Sequence, residues 1–309
     1  MIRMHAPRKP VLIVGSVALD TIETPFGAVR DVLGGAASYS SVASSFFTNV
    51  RMVGVVGEDF PREHLRLFQE REIDIAGLRT STGETFRWSG YYEYDMNQAH
   101  TVATHLNVFE TFCPTIPAEY RRTPYVFLAN IDPDLQLAVL DQIESPKFTI
   151  ADTMNFWISG KRNRVLDVFK RVDAITINDA EARQLCDTAS LVTAGRQLLA
   201  MGPKMVIIKK GEHGALLFTP DDYFVAPSFP LEDVRDPTGA GDTFAGGVVG
   251  YLAFTDDVSE ENMRKAVVYG SVMASYTVED FSLNRLARLE HGEVLVRFAE
   301  MRRMTMIAE

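Results

Sequence analysis

Cysteine is almost missing from this chain: two in 309 residues, Cys113 and Cys186, with no CxxC spacing. That excludes a disulfide framework and points to a reduced, cytoplasmic protein with two incidental thiols. The six histidines form no HExxH or HxxxH pair, so a helical zinc motif is absent too. Basic residues are in deficit, 31 Lys and Arg against 41 Asp and Glu for a net charge of −10, which argues against nucleic-acid binding. Local backbone amides can still hold a small anion on such a chain. No stretch approaches the ~18 apolar residues that cross a membrane. The run "VLIVGSVAL" (Val11–Leu19), preceded by Arg3, Arg8 and Lys9, imitates a signal peptide. It is rich in β-branched residues and ends in Asp20 with no small-x-small cleavage site, so it reads as a buried first strand. Internal repeats, low-complexity tracts and linkers are also lacking, and residues 1–309 read as a single domain.

What is present alternates. Continuous apolar runs of strand length recur at Val11–Val14, Met52–Val56, Tyr125–Ala129, Phe148–Ala151, Ala174–Ile177 and Met205–Ile208. Runs without polar alternation suit strands buried on both faces. Between them lie helical patterns: Ala37–Phe47, with Tyr39, Val42, Ala43, Phe46 and Phe47 on one face; Asp132–Ile143, with an acidic cap and Pro133; and Asn178–Leu185, with a capping residue and early acids. The alternation predicts a mostly parallel sheet covered by helices on both sides, a three-layer α/β/α fold. Two segments break it, Thr21–Gly35 around a turn at Pro25–Gly27 and Glu84–Val108 around a turn at Asp95–Asn97. Both read as antiparallel hairpins outside the main sheet, together forming a small β lid.

The most informative stretch is "DPTGAGDTFAGG", Asp236 to Gly247. Its glycines allow left-handed backbone and close approach to a ligand, and an apolar helix follows. The amides of Gly239, Ala240, Gly241 and Asp242 would then form an anion site at a helix N-terminus. Asp242 at that position is either a helix cap or a base standing beside the bound anion. No GxxxxGK[ST] is present, and no GxGxxG follows the first strand, so other phosphate motifs do not compete.

On these residues the chain resembles the phosphofructokinase-B, or ribokinase-like, family of ATP-dependent sugar and nucleoside kinases. Besides "DPTGAGDTFAGG", the family's pattern is met in order by "GSVALD" (Gly15–Asp20), Gly34–Gly35, "VGVVGEDF" (Val53–Phe60), "NDAE" (Asn178–Glu181) and "KKGEHGAL" (Lys209–Leu216). The resemblance implies that Asp242 deprotonates a primary alcohol, with Gly239, Ala240 and Gly241 as the anion hole for the γ-phosphoryl group. It implies that Asp20, Gly34, Gly35, Ser38 and Tyr39 grip the acceptor, and that Asn178, Gly211, Gly214 and Ser271 lie on the ATP side. Glu181 would organise Mg2+ through water, and Asp236 would either help to bind a monovalent cation such as K+ or only brace the turn. Asp152 and Asn155 lie near the phosphates in the family, an Asx-turn being the other reading. Lys209 and Lys210 read as surface charges.

One departure stands out. The family commonly carries an asparagine where this chain has Tyr39, which leaves the transfer machinery intact but puts ribose or fructose in doubt as acceptor. Trp88, Tyr91, Tyr92 and Tyr94 either stack on a nucleobase or sugar face, form the lid's own core, or make a dimer contact. The sequence thus predicts a Mg-ATP-dependent kinase of a sugar or polyol hydroxymethyl group. A nucleoside kinase of the same fold and a non-catalytic ligand sensor are the alternatives. A lid of one small ribbon exposes strand edges, so a homodimer paired through the lid is expected.

Overall fold

The computed structural model describes residues 8–306, so Arg3 of the N-terminal basic cluster lies outside it. Among the described residues, thirteen strands form two sheets. In chain order they are β1 (Val11–Val14), β2 (Ala18–Thr24), β3 (Gly27–Gly34), β4 (Val50–Gly57), β5 (Ile73–Ser81), β6 (Phe86–Tyr92) and β7 (Ala99–His105). There follow β8 (Tyr125–Leu128), β9 (Phe148–Asp152), β10 (Ala174–Asn178), β11 (Met205–Lys209), β12 (Ala215–Phe218) and β13 (Tyr223–Ala226). The large sheet has the order β13-β12-β11-β10-β9-β8-β1-β4-β5. It is parallel from β5 to β11 and antiparallel through β12 and β13.

Each expected strand is present within a residue or two, because every one is buried on both faces. Along β1, Val11 and Ile13 enter one apolar cluster, and Leu12 and Val14 the other. The first cluster is closed by helices Ala36–Ser45, Ala240–Thr255 and Glu260–Thr277. The second is closed by helices Pro133–Leu140, Arg162–Phe169, Asp179–Cys186 and Leu191–Ala200. Two helix layers around a mostly parallel sheet make the expected three-layer α/β/α fold, with a smaller sheet beside it.

The smaller sheet has the order β3-β2-β6-β7. Its hairpins β2–β3 and β6–β7 are antiparallel as expected, but β2 and β6 pair in parallel. The reason is topological: β2 follows β1 and β6 follows β5, and two strands leaving the same edge of a parallel sheet run the same way. The run Val11–Leu19 is accordingly not one strand. It ends in the large sheet at Val14, turns through Gly15–Val17, and resumes at Ala18 in the small one. Strand order reverses at β1 and β8, the switch point where α/β sheets open a crevice at the strands' carboxyl ends.

The first helix and the helix Ala240–Thr255 cross unusually closely. A Cβ on Gly246 would overlap the backbone of Ser40, and one on Gly250 would lie 2.9 Å from Ser44 Cα. Ser44 Oγ donates to Gly246 O across the gap at 2.7 Å. This contact sets the distance between the residues that each helix carries into the crevice.

Candidate active site

Asp20 enters the crevice from the middle of β2, not from a strand end as expected, and is 4% exposed. Its carboxylate lies over Gly34, where any Cβ would overlap it, and the Gly35 backbone beside it favours its charged form. Gly35 itself has φ 90 and is pressed on the backbone of Ser16 and Ala18, so both glycines are dictated locally. Burial pushes the Asp20 carboxyl up to about 8, with the charges of Asp236 and Asp242 adding to it.

The helix that Gly35 caps brings in Ser38 and Tyr39, both buried. The Tyr39 ring covers Gly239, whose Cβ, if present, would overlap it. The Tyr39 hydroxyl and Ser38 Oγ have no hydrogen-bond partner among the described residues. Burial raises the Tyr39 phenol well above its usual range, and Asp236 and Asp20 add to the effect.

The turn opposite is built as its glycines require. Gly239 caps the helix Ala240–Thr255 with φ 74. The Ala240 amide donates to Pro237 O at 3.1 Å, so the turn itself uses one of the four expected amides. Those of Gly239, Gly241 and Asp242 meet no acceptor among the described residues. Asp242 stands in the first helical turn, and burial pushes its carboxyl up to about 7, Asp152 adding and Lys209 opposing. Asp236 accepts from the amides of Thr238 at 2.9 Å and Ser282 at 3.2 Å. These are the bonds of a brace. The small sheet joins here too, through Tyr92 Oη and Thr238 Oγ1 at 3.3 Å.

On the far side, Asn178 and Glu181 form a capping box: Asn178 Oδ1 accepts from Glu181 N at 2.8 Å, and Glu181 Oε2 from Asn178 N at 2.9 Å. The Asn155 backbone lies close enough to favour the charged form of Glu181. Burial pushes the Glu181 carboxyl up to about 7 against the pull of Lys209. No group of three or more His, Cys, Asp or Glu that could cage a metal exists among the described residues. Glu181 is a carboxylate that could reach Mg2+ through water; this ion usually keeps several waters and takes its other ligands from substrate phosphates.

Lys209 is not a surface charge. Its side chain is 16% exposed and its Nζ meets Asp152 Oδ2, 4% exposed, at 2.8 Å. A Cβ on Gly241 would lie 3.2 Å from that Nζ, so the ammonium sits against the turn. The signal was in the sequence: Lys209 shares two-residue parity with Ile207, buried in the cluster on the Ala240–Thr255 side. Asp152 faces it from β9; its Oδ1 also accepts from Thr153 N at 2.9 Å. Gly211 (φ 54) lies under the small sheet's turn, where an added Cβ would be 2.9 Å from Asn97 Oδ1. Gly214 (φ 79) is required by the backbone of Ala226 beside it. Ser271 is buried in helix Glu260–Thr277 and bonds to none of these residues.

Residues 11–287 match the model of the pfkB family of carbohydrate kinases. The chain belongs to that family. Membership makes it a phosphotransferase with an alcohol group as acceptor. Among its pfkB relatives are a cytidine kinase from Thermococcus kodakarensis, 28% identical over 78% of this chain and 88% of that protein, and an inositol 3-kinase from Arabidopsis thaliana, 25% identical over 89% and 76%. The fold matches that of aminoimidazole riboside kinase from Salmonella enterica, solved with aminoimidazole riboside and an ATP analogue. That likeness has TM-score 0.74 and 18% identity over 94% of this chain and 99% of the other.

Proposed function

We propose that this pfkB kinase transfers the γ-phosphoryl group of ATP to a hydroxymethyl group on a sugar, polyol or nucleoside, with Asp242 as base. The observation that carries the reading is the pairing of a carboxyl poised near neutrality with open amides on the same helical turn. A base of that strength suits proton abstraction near pH 7. Asp20 holds the acceptor by its other hydroxyls. Asp242 takes the proton of the reacting hydroxyl as that oxygen bonds to the γ-phosphorus and the bond to the bridging oxygen of the departing ADP breaks. The amides of Gly239, Gly241 and Asp242 stabilise the charge on the phosphoryl oxygens, the Asn178 amide group meets the phosphates, and Glu181 orients water. Mg2+, when bound, neutralises phosphate charge. The small sheet closes the crevice to water and so suppresses ATP hydrolysis.

A nucleoside acceptor is favoured by one feature. Trp88 is the cross-strand neighbour of Asp20, and its indole lies over Gly90, pinned by a bond from Nε1 to Thr101 Oγ1 at 3.2 Å. A flat, held indole beside the acceptor-binding acid suits a planar base.

A coupled ADP-release assay with Mg-ATP against sugars, polyols and nucleosides tests this reading. Turnover with one class should rise with pH through about 7 as Asp242 ionises, and Asp242→Asn should lower kcat by at least ~100-fold while acceptor binding persists. Turnover surviving in Asp242→Asn would remove Asp242 as base, and ligand binding without turnover across the panel would favour a sensor.

A further inference from the structure

Lys209 poses a chemical problem. A lysine ammonium beside an aspartate base tends to lock it into an ion pair, and a locked carboxylate is a poor proton acceptor. Here the ammonium is buried against Gly241, one residue from Asp242, yet its bond goes to Asp152 at 2.8 Å. The strands on either side of β10 deliver both partners to one face of the sheet: Thr176 of β10 pairs with Asp152 on β9 and with Ile207 on β11, two residues before Lys209.

We infer that Asp152 is a positioning residue that holds Lys209 off Asp242, so that one cation serves the anion turn without quenching the base. The inference rests on the reading of Asp242 as base. Lys209 then offers its remaining N–H groups toward whatever anion occupies the Gly239–Gly241 turn, while Asp242 keeps the proton affinity that its task needs.

The electrostatics agree in sign. Around Asp242 the structure gathers Asp152 from β9, Lys209 from β11, Asp20 from β2, Tyr39 from the first helix and Tyr92 from β6. Lys209 is the cation of this group and Asp152 its bonded counter-charge. Burial alone would lower the Lys209 ammonium, but Asp152, Glu181 and Asp242 hold it above its usual value, so it is charged throughout the working range.

The two members of the pair therefore have opposite effects on the base, and neutral variants separate them. Lys209→Met removes a cation near Asp242 and should move the acid limb of the kcat profile up by about one pH unit. Asp152→Asn frees Lys209 to pair with Asp242 and should move the same limb down by a similar amount. Loss of packing alone would depress both rates without moving the limbs apart. Because either single change leaves a buried charge without its partner, Asp152→Asn/Lys209→Met, which removes both, is measured beside them. Its limb should lie between those of the single variants and within about half a unit of the parent. Limbs that move in the same direction or not at all, or a double variant displaced by more than about a unit, overturn the inference. Asp242→Asn in the same series keeps the two ideas apart: turnover there would sink the base, and only then does the pair lose its object.

Discussion

Tyr39 keeps a buried hydroxyl without a partner, which costs a folded chain about 1–3 kcal/mol. A core tyrosine with no other task would be a phenylalanine. The ring alone covers Gly239, so the hydroxyl is the part that needs a reason, and an acceptor oxygen supplies one. Tyr39→Phe should leave the thermal midpoint unchanged or raised while KM for the acceptor rises by about tenfold, the worth of one lost hydrogen bond. An unchanged KM would show that the hydroxyl does not touch the acceptor. The sequence singled out Tyr39 because it stands where the resembled family commonly carries an asparagine, at a fixed distance from the two glycines that start its helix. Lys209 was misread although its two-residue parity with Ile207 places it on the buried face, because the acid that pairs with it comes from a different strand and no local pattern announces so distant a partner. Asp242 was legible as an oddity, but its proton affinity depends on burial, and then on charges from β9 and β11, that only the folded sheet supplies.

Among the elements, the closest fit is between the first helix and the helix Ala240–Thr255. Ser40 and Ser44 face Gly246 and Gly250 at four-residue spacing, so the backbones touch where larger side chains would hold them apart. Gly246→Ala should destabilise the protein by about 2 kcal/mol through overpacking, read as a lower urea midpoint, and should also lower kcat. The activity loss follows because the helices carry Tyr39 and Asp242, and spreading them separates the two. Gly292→Ala is the control: a Cβ there meets nothing within 4 Å, and stability should hold or rise slightly. A Gly246→Ala protein as stable and active as the parent would show that the contact tolerates a methyl group. The six strands read from apolar runs were legible to within a residue or two because runs buried on both faces have sharp ends; β5, β12 and β13, toward the sheet's two edges, were not read. The break of Val11–Leu19 at Gly15 was not, since β-branched residues continue across it and only the departure of β2 to a second sheet marks the change.

For the whole molecule, the small sheet is both a cover and an exposed surface. Toward the crevice it is tied by Tyr92 to Thr238 and by Thr24 Oγ1, which donates to Arg235 O at 2.9 Å. On its outside Phe26, Tyr94 and Val102 are exposed, and β3 and β7 are edge strands. We propose that two copies pair through this surface, which would cover open edges. Light scattering at micromolar concentration should then give about twice 34.5 kDa, and a monomeric mass would count against pairing. That two hairpins lie outside the main sheet could be read from their alternating residues. Their joining through a parallel pair could not, because it follows from where β1 and β5 end. The same topology governs the order of synthesis. Asp20 emerges near the start of translation, but its cross-strand partner β6 arrives only after β4 and β5 have been made, and Asp242 comes much later still. On the proposed roles, a nascent chain that has already made the acceptor side still lacks its base, so phosphoryl transfer must await synthesis of the Asp242 turn.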